Sequence, residues 1–511
     1  MNPLLLVAAL ALLILYLVKF AYSRPSNFPP GPPKLPVFGN YLQLLAGNYW
    51  YPYRELDRLT RRYGCKVLGL HWGPVPTVVA CDQQSIRQAL AQPQLQGRFE
   101  SIVTKTRAFD KTLGVFFTDG AFWAEQRRFA LRHLRDFGFG RRSPALEAEA
   151  QGELEHLVKL LRGETSAPHD KEVYSNGRAL LPDALYPAFI NSILVPLAGA
   201  RLPRDRDPAL RATGRTVMLF QTAFDTTGGF LGILPWLRHL FPHLTGHQNN
   251  QRSSAHLHGV FRDIIGDHKI SFTEAHMRDF CDVYLKEMEK LREEGILDKT
   301  TFSEDQLLLS MIDFFFPAAT AISTTMVFAI VFLMHNPHVA ERVQEELDNV
   351  VGRSRLPHLD DRVSLPYTEA TLRETMRRAT LTPISIPHRA TEDTHFMGYD
   401  VPKDSMIITC LWSMHMDKEF WGDPEAFRPE RFLDDQGQLL KKDPTLPFGA
   451  GKRLCAGETF ARHYLFLFFA GLMQNFRFRM PNGQKPPPMD GHRPGIIESI
   501  PPFWVEVQPR D

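Results

Sequence analysis

The stretch FGAGKRLCAG, residues 448–457, is the most informative segment of this sequence. Gly449 and Gly451 permit tight bends, because glycine has no Cβ and lets the backbone approach a flat partner closely. Cys455 follows these bends, and an apolar run of helical character, ARHYLFLFFAGLM, comes after it. The stretch therefore predicts a cysteine in a shaped loop at the start of a helix.

The position of Cys455 favours metal chemistry. Unpaired N–H groups and the dipole at a helix start favour the thiolate, and Arg453 adds a positive charge. No second cysteine or histidine lies at ligand spacing, which argues against a four-ligand zinc site. A single deprotonated sulfur suits one strong axial metal bond, whereas the alternative is a free cysteine in the core.

The pattern F-G-x-G-x-R-x-C-x-G resembles the heme-binding loop of cytochrome P450 enzymes, with all of the fixed positions present. The resemblance implies that Cys455 ligates the iron of heme b. It also implies that Phe448, Gly449 and Arg453 contact this cofactor, with Arg453 at a propionate.

Composition limits the other possibilities. The chain has 511 residues, 44% hydrophobic and 23% charged, without a low-complexity linker or internal repeat, so we expect one large domain. The formal net charge of +2 gives no reason to expect a nucleic-acid partner. Five scattered cysteines argue against a disulfide framework and for a reducing compartment.

The beginning of the chain predicts a membrane anchor. Residues 4–18 are continuously apolar, and residues 20–22 extend this run past Lys19, close to the roughly 20 residues that span a bilayer. Lys19 and Arg24 follow the run, which favours a cytosolic body; a cleaved signal peptide is the alternative. We expect a signal-anchor helix at residues 1–22, a Pro-rich hinge at 23–40 and the catalytic domain at 41–511.

A two-faced helix is predicted over residues 122–134, FWAEQRRFALRHL. A W-x-x-x-R pattern binds a heme propionate in the family that the cysteine loop resembles, which implies this role for Trp123 and Arg127. Arg128, Arg132 and Arg135 share the other face, and the resemblance implies that this face docks an acidic electron-donor protein.

Further segments resemble the microsomal branch that oxidises drugs and steroids, namely GRFES at residues 97–101 and LRDFGFGRRS at residues 134–143. This alignment implies a propionate contact for Lys111, for which a solvated loop position is the alternative. His388, in PHRATEDT, is implied as another propionate partner. Arg389 beside it either takes this role in place of His388 or is a surface charge.

The longest helix is predicted to begin at Ser303, to form a capping box with Gln306 and to end at Asn336–Pro337. Its length matches the helix that crosses over the heme in the family. The usual acid–threonine pair is replaced, because Thr320 stands in the place of the acid and Ala321 in that of the threonine. Thr320 is therefore the candidate catalytic residue, through altered proton delivery; a substrate hydroxyl or another water path is the alternative.

Glu374 and Arg377 lie one helical turn apart, and Arg431 follows in FRPERF. Such a pair on an exposed helix has little effect. The resemblance instead implies that the three side chains form a buried network supporting the cysteine loop.

The resemblance implies a mainly α fold with a small β region, the cytochrome P450 fold, as a single heme domain with an N-terminal anchor. It implies a monooxygenase that inserts one atom of O2 into a small apolar substrate, such as a steroid, fatty acid, terpenoid or xenobiotic. No dinucleotide fingerprint occurs, so we do not expect the chain to bind NADPH itself. The resemblance implies that electrons come from NADPH–cytochrome P450 reductase, with cytochrome b5 as a further candidate. We expect the protein to cross the endoplasmic reticulum membrane once, with the catalytic domain facing the cytosol.

Two alternatives stay open. Ala321 is compatible with a heme-thiolate isomerase or dehydratase that acts on peroxides without a reductase. A heme-containing binder of apolar ligands, without turnover, is the other. Apolar residues that would line the pocket are Phe99, Phe116, Phe117 and the segment 231–241.

Overall fold

The computed structural model describes residues 3–224, 226–273, 275–481, 483–490 and 492–510. Helices dominate these residues, in agreement with the predicted mainly α class. The helices are α1 Pro3–Tyr22, α2 Tyr41–Gly47, α3 Pro52–Tyr63, α4 Gln83–Ala91, α5 Ile102–Thr106, α6 Gly120–Asp136, α7 Pro144–Arg162, α8 Tyr186–Ala198, α9 Asp207–Gln221, α10 Gly229–Ile233, α11 Leu237–Leu240, α12 His247–Ser271, α13 Phe280–Glu293, α14 Glu304–His335, α15 Pro337–Val350, α16 Pro366–Ala379, α17 Leu411–His415, α18 Lys418–Trp421 and α19 Glu458–Asn475.

The strands form two small sheets and a separate hairpin. They are β1 Val67–Trp72, β2 Val75–Ala80, β3 Gly97–Arg98, β4 Tyr174–Ser175, β5 Arg178–Leu181, β6 His388–Arg389, β7 Thr394–Phe396, β8 Tyr399–Val401, β9 Met406–Thr409, β10 Phe476–Arg479 and β11 Phe503–Pro509. The first sheet has the order β1-β2-β9-β6-β3, the second has the order β10-β11-β5-β4, and β7 pairs with β8. Strands β1 and β2 form an antiparallel hairpin, in which Val67 lies opposite Ala80 and Trp72 opposite Val75.

Helix α14 is the centre of the domain. Most of its residues are buried, as expected for a helix that is apolar on nearly all sides. It packs against α8, α9, α12, α16 and α19, which surround it. Among the described residues, α14 is the one helix whose length and composition would allow a membrane span, but its burial makes it a core helix.

The ends of α14 agree with the prediction, with one difference at the capping box. The Ser303 hydroxyl accepts the N–H of Gln306 at 3.1 Å, and the helix ends at Asn336. The Gln306 side chain does not complete the box, because its Oε1 accepts the N–H of Gly114 at 2.7 Å. Gln306 thus connects α14 to the loop before α6.

The Pro-rich segment at 23–40 packs against the first sheet. The N–H of Gly69 in β1 donates to the Pro30 carbonyl at 2.8 Å, and the Asn40 amide donates to the Pro33 carbonyl at 2.9 Å. A Cβ on Gly31 would lie 2.0 Å from the Gly69 carbonyl oxygen, so glycine is required for this approach. The proposed domain boundaries at residues 22 and 40 stay predictions.

Candidate heme-thiolate site

The cysteine loop has the two bends that the sequence predicts. Gly449 and Gly451 have φ angles of 72° and 69°, which only glycine adopts at low cost. The Cys455 N–H donates to the Phe448 carbonyl at 2.9 Å and closes the loop. Helix α19 begins at Glu458, three residues after the cysteine. The loop therefore presents Cys455 immediately before a helix N-terminus.

The protonation of Cys455 differs from the thiolate preference predicted from its position. Burial raises the pKa of the Cys455 thiol, the backbone N–H of Gly457 lowers it, and the Glu458 carboxylate raises it. Desolvation thus outweighs the local N–H group in this loop. A coordinated cation deprotonates a thiol, so this pKa is no obstacle to metal ligation.

A cluster of basic side chains lies beside the loop, and we call Arg98, Arg127, His388 and Arg453 the basic cluster. Arg98, His388 and Arg453 are buried, and Arg127 is half-buried. The Arg453 guanidinium stacks on the Trp123 ring at 3.7 Å, and that of Arg127 lies 5.5 Å from the same ring. Trp123, Arg127, His388 and Arg453, four of the residues predicted to bind propionates, are therefore brought together.

Backbone carbonyls hold the basic cluster in position. Arg453 Nε donates to the Gln96 carbonyl at 2.9 Å, and the His388 Nδ1–H donates to the Leu95 carbonyl at 3.0 Å. Arg98 donates to the carbonyls of Phe116 and Ile386, each at 3.2 Å. These contacts orient the side chains without neutralising their charge.

Mutual repulsion and burial destabilise the charged forms of the basic cluster. Burial, followed by the charges of Arg453 and Arg127, holds the pKa of Arg98 well below its usual value. Burial lowers the pKa of Arg453 to about 9. The pKa of His388 is also well below its usual value, through burial and then the charge of Arg98. Such a concentration of buried basic groups favours an anionic partner.

The basic cluster fits the carboxylates of a heme. Trp123 Nε1 and Arg453 Nη1 are buried and have no hydrogen-bond partner among the described residues. Buried N–H groups in native proteins are nearly always bonded, so these donors indicate an acceptor supplied by a bound group. Two heme propionates beside Cys455 would neutralise the positive charge of the basic cluster and accept hydrogen bonds from both donors.

Arg98 is the residue that sequence reasoning missed. Its segment, GRFES, indicated only a branch of the family, whereas the structure pairs Arg98 in β3 with His388 in β6 and brings it close to Arg453. Lys111, the predicted propionate partner, is exposed, and its ammonium lies 3.2 Å from Asp305. This position does not support the predicted contact with a propionate, because the exposed ammonium of Lys111 pairs with Asp305 instead.

Arg389 is a partner of acidic groups rather than a member of the cluster. Its guanidinium lies 2.7 Å from the Asp119 carboxylate and 2.6 Å from that of Asp404. The Asp119 carboxylate also accepts the backbone N–H of Arg98 at 2.9 Å. Arg389 thus helps to hold β3 in place beside β6.

An apolar cavity lies between α14 and the cysteine loop. Ala321 and Thr325 line it from α14, Thr380 lines it from the turn after α16, and Phe448 lines it from the cysteine loop. Ala321 brings no hydroxyl to this cavity. Thr320 is buried, and its hydroxyl lies 2.8 Å from Gln221 Oε1 and 3.0 Å from the Phe316 carbonyl. The Thr320 hydroxyl is therefore directed toward α9 by Gln221, a partner that the sequence did not indicate.

The network predicted for Glu374, Arg377 and Arg431 is present and buried. Arg377 binds Glu374 through two hydrogen bonds of 2.6 and 2.8 Å, and Arg431 Nε binds the same carboxylate at 3.1 Å. Arg377 also donates to the carbonyls of His415 and Pro424. The network thus connects α16 to the segment that leads into the cysteine loop.

Comparison with known proteins agrees with this geometry. A profile of the family described as Cytochrome P450 matches residues 29–507. The chain is 35% identical to cytochrome P450 2B2 of Rattus norvegicus over 481 residues, 93% of each protein. It is 33% identical to farnesoate epoxidase of Bombyx mori over 511 residues, 98% of this chain and 99% of that protein. It is 32% identical to cytochrome P450 2J2 of Homo sapiens over 462 residues, 90% of this chain and 88% of the relative. The chain belongs to the cytochrome P450 family and is a heme-thiolate monooxygenase.

Proposed function

We propose that this chain is a reductase-dependent monooxygenase of the endoplasmic reticulum membrane that oxidises a small apolar molecule, and that Cys455 would hold the iron of heme b. The observation that carries the proposal is the basic cluster with its unpartnered donors beside the cysteine loop. When bound, the heme supplies the activation of O2, and a cysteine thiolate ligand favours O–O cleavage.

The residues of the chain bind and orient the cofactor. Arg98, Arg127, His388 and Arg453 would neutralise the propionates, and the Trp123 N–H would donate to one of them. Phe448 and Gly449 shape the loop around the sulfur, because the φ of Gly449 turns the chain away after Phe448. The helix N-terminus after Cys455 provides N–H groups that stabilise a thiolate once a metal has displaced its proton.

The walls of the cavity beside Ala321 are almost entirely apolar. We propose that proton delivery uses the Thr320–Gln221 pair and ordered water in place of the usual acid and threonine.

A reductase partner is supported by charge on the surface near the cysteine loop. Arg128, Arg132 and Arg135 are exposed on α6, whose other face carries Trp123 and Arg127. A basic face steers an acidic donor protein toward the heme edge. NADPH–cytochrome P450 reductase is the proposed donor, and cytochrome b5 is a further one.

Membrane attachment is supported by two apolar surfaces. The described side chains of α1 are mostly exposed, and so are Trp236, Leu240, Phe241 and Leu244 at the tip around α11. Exposed aliphatic and aromatic groups of this kind suit an interfacial region. We propose a single-pass anchor at 1–22, with the body in the cytosol, and removal of residues 1–22 should release the protein from microsomes while its spectrum is retained.

The spectrum of the reduced, carbon monoxide-bound protein tests the central proposal, with Cys455→Ala alongside. We expect a strongly red-shifted Soret band that the variant loses. Turnover with NADPH and reductase, and none with peroxide alone, tests the proposed dependence on a reductase. A histidine-like band in both proteins would contradict the ligation by Cys455.

A further inference from the structure

Three side chains with metal-binding atoms meet where α9 begins, and we call His169, Asp170 and Asp207 the His–Asp cluster. His169 and Asp170 lie in the short helical turn Pro168–Glu172, and Asp207 is the first residue of α9. One ligand atom from each of the three residues lies within 4.8 Å of the other two. Donor atoms that share one tetrahedral zinc ion are about 3.3 Å apart, so small side-chain rotations would bring all three onto one ion.

Two atoms of the His–Asp cluster are buried without a hydrogen-bond partner among the described residues, namely His169 Nε2 and Asp207 Oδ1. The Asp207 side chain is only 2% exposed, so its carboxylate has lost nearly all of its hydration. Buried polar atoms in native proteins are nearly always bonded. Both atoms can offer a lone pair, so a cation that binds both would satisfy them together.

The arginines around the cluster are already paired with other carboxylates. Arg204 binds Glu153 through Nη1 and Nη2, each at 2.8 Å, and its Nη1 lies 3.9 Å from Asp207 Oδ1, beyond hydrogen-bond distance. Arg211 donates to Asp170 Oδ1 at 3.1 Å. Each guanidinium thus has a carboxylate of its own, whereas Asp207 Oδ1 receives no such bond in the described part of the chain.

Arg211 also orients the cluster. It lies one turn after Asp207 in α9, it is almost completely buried, and its Nη1 donates to the His169 carbonyl at 2.9 Å. Together with the bond to Asp170, this contact fixes the turn against α9. Carboxylates that bind a metal are usually hydrogen-bonded by outer groups of this kind. The cluster is therefore held in place by contacts that involve no ion.

A second histidine, His156 on α7, lies beside the cluster. Its Nε2 is 3.8 Å from Asp207 Oδ2, which makes it a candidate fourth ligand. The side chains of His156 and His169 are 26% and 21% exposed, so an ion could enter between them from solvent. Imidazole ligands combined with carboxylates suit zinc, whereas magnesium and calcium prefer oxygen ligands alone.

Another group of similar composition differs from the His–Asp cluster in its hydrogen bonds. Ligand atoms of His268, Asp279 and Cys281 also lie within 4.8 Å of one another. There, His268 Nδ1 bonds to the Ile264 carbonyl and Nε2 to Asp279 Oδ2, each at 2.8 Å. The imidazole of His268 is therefore satisfied without an ion, whereas His169 Nε2 is not.

We propose that His169, Asp170 and Asp207 bind a zinc ion, with His156 as the fourth ligand, and that this ion fastens the start of α9 to the turn after α7. Helix α9 packs against α14 and ends at Gln221, which pairs with Thr320. The zinc ion would thus stabilise the helix that carries Gln221. The zinc site shares no residue with the heme-thiolate site, so neither proposal requires the other.

Zinc binding to the purified, heme-loaded full chain tests the site. The protein is stripped with EDTA, dialysed against a series of Zn²⁺ concentrations and analysed for zinc and iron. We expect one zinc per heme and a urea midpoint that rises with zinc. His169→Gln and Asp207→Asn should each bind zinc at least about 10-fold more weakly, since removal of even an outer supporting group costs a metal site that much.

A matched control and a spectrum identify the ligands. His395 is exposed and lies 2.6 Å from Asp400, so His395→Gln removes a histidine of a surface pair and should bind zinc like the wild type. X-ray absorption at the zinc edge should show nitrogen and oxygen neighbours at about 2.0–2.1 Å and no sulfur at about 2.3 Å.

No zinc bound by the wild type, or equal zinc affinity in the wild type, His169→Gln and Asp207→Asn, would overturn the inference. So would a sulfur neighbour, which would place the ion at a cysteine such as Cys281. If Asp207→Asn does not load heme, His169→Gln decides the question alone, because His169 is partly exposed in a turn and its replacement leaves the ion pairs intact.

The carbon monoxide spectrum of each protein is recorded in parallel. Loss of the thiolate band with zinc binding retained would be a failure of the proposed function and would leave the zinc site supported.

Discussion

At Gly451, one hydrogen in place of a side chain determines whether the cysteine loop can close. A Cβ there would lie 2.1 Å from the Leu90 carbonyl oxygen, so the loop packs directly on the end of α4. Gly449 has nearly the same φ, but no atom lies within 4 Å of the position of its Cβ. A side chain would strain the backbone at either glycine, but only at Gly451 would it also collide with a neighbouring atom.

Gly451→Ala should cost more stability than Gly449→Ala, for which the left-handed backbone alone costs about 1 kcal/mol. The difference arises because only Gly451 combines a positive φ with a backbone clash. The urea midpoint of each variant measures the loss of stability. Equal losses in both variants would mean that strain alone decides the loop.

Ala321 is the residue at which the chain departs from its family pattern. Ala321→Thr should change the amount of product formed per NADPH consumed, because it introduces a hydroxyl into the cavity beside the cysteine loop. Ala321→Val is the matched control, since valine has the shape of threonine but no hydroxyl. The same ratio in wild type and threonine variant, or the same change in both variants, would exclude a special proton route at this position.

At the scale of elements, the acid–arginine network connects α16 to the chain that precedes the cysteine loop. Glu374 is completely buried between Arg377 and Arg431, and its carboxylate also accepts the N–H of Arg428 at 2.9 Å. A buried network of this kind requires every member, because removal of one strands the remaining charges. The network is thus a structural requirement for α16 and the loop to fold together.

Glu374→Gln should lower the free energy of unfolding by roughly 3–5 kcal/mol and reduce the yield of heme-loaded protein. Glu289→Gln is the control, because Glu289 pairs with Arg292 on the exposed face of α13, where a pair contributes less than about 1 kcal/mol. Urea unfolding and the spectrum after purification provide the measurements. A control that loses as much stability as the network variant would contradict this view.

Across the whole molecule, burial shifts the pKa values of several acidic and basic side chains far from their usual values. Burial raises the pKa of Glu498 to about 8, with the Arg54 charge and the Tyr53 hydroxyl acting against it. His492 lies 3.8 Å from its carboxylate, and burial lowers the pKa of His492 to about 4. Glu498 is therefore protonated in the folded protein at neutral pH and ionised in the unfolded one.

Between about pH 7 and pH 8 the folded state holds a proton on Glu498 that the unfolded state has lost, so Glu498 makes the stability fall as pH rises. Histidines lowered by burial do not mask this slope, because unfolded histidines are mostly neutral above pH 7. Glu498→Gln should flatten the pH dependence. Urea midpoints of both proteins across this interval measure it, and parallel slopes would contradict the assignment.

Patterns that depend on neighbours along the chain were predictable from sequence. The bends at Gly449 and Gly451 and the ends of α14 follow from glycine geometry and capping, which act over a few residues. The order of Glu374, Arg377, Arg431 and Cys455 indicated the network and its family. These features therefore needed no knowledge of packing.

The tertiary structure alone decided which charges meet. Arg98 joins His388 across two strands that are far apart in the sequence, whereas Lys111 is solvated beside Asp305. In the same way, packing of α9 against α14 gives Thr320 the partner Gln221, and the loop before α6 gives Asp313 its contact with Arg107. The partner of a buried polar group is set by which elements pack together, and a local pattern contains no information on that.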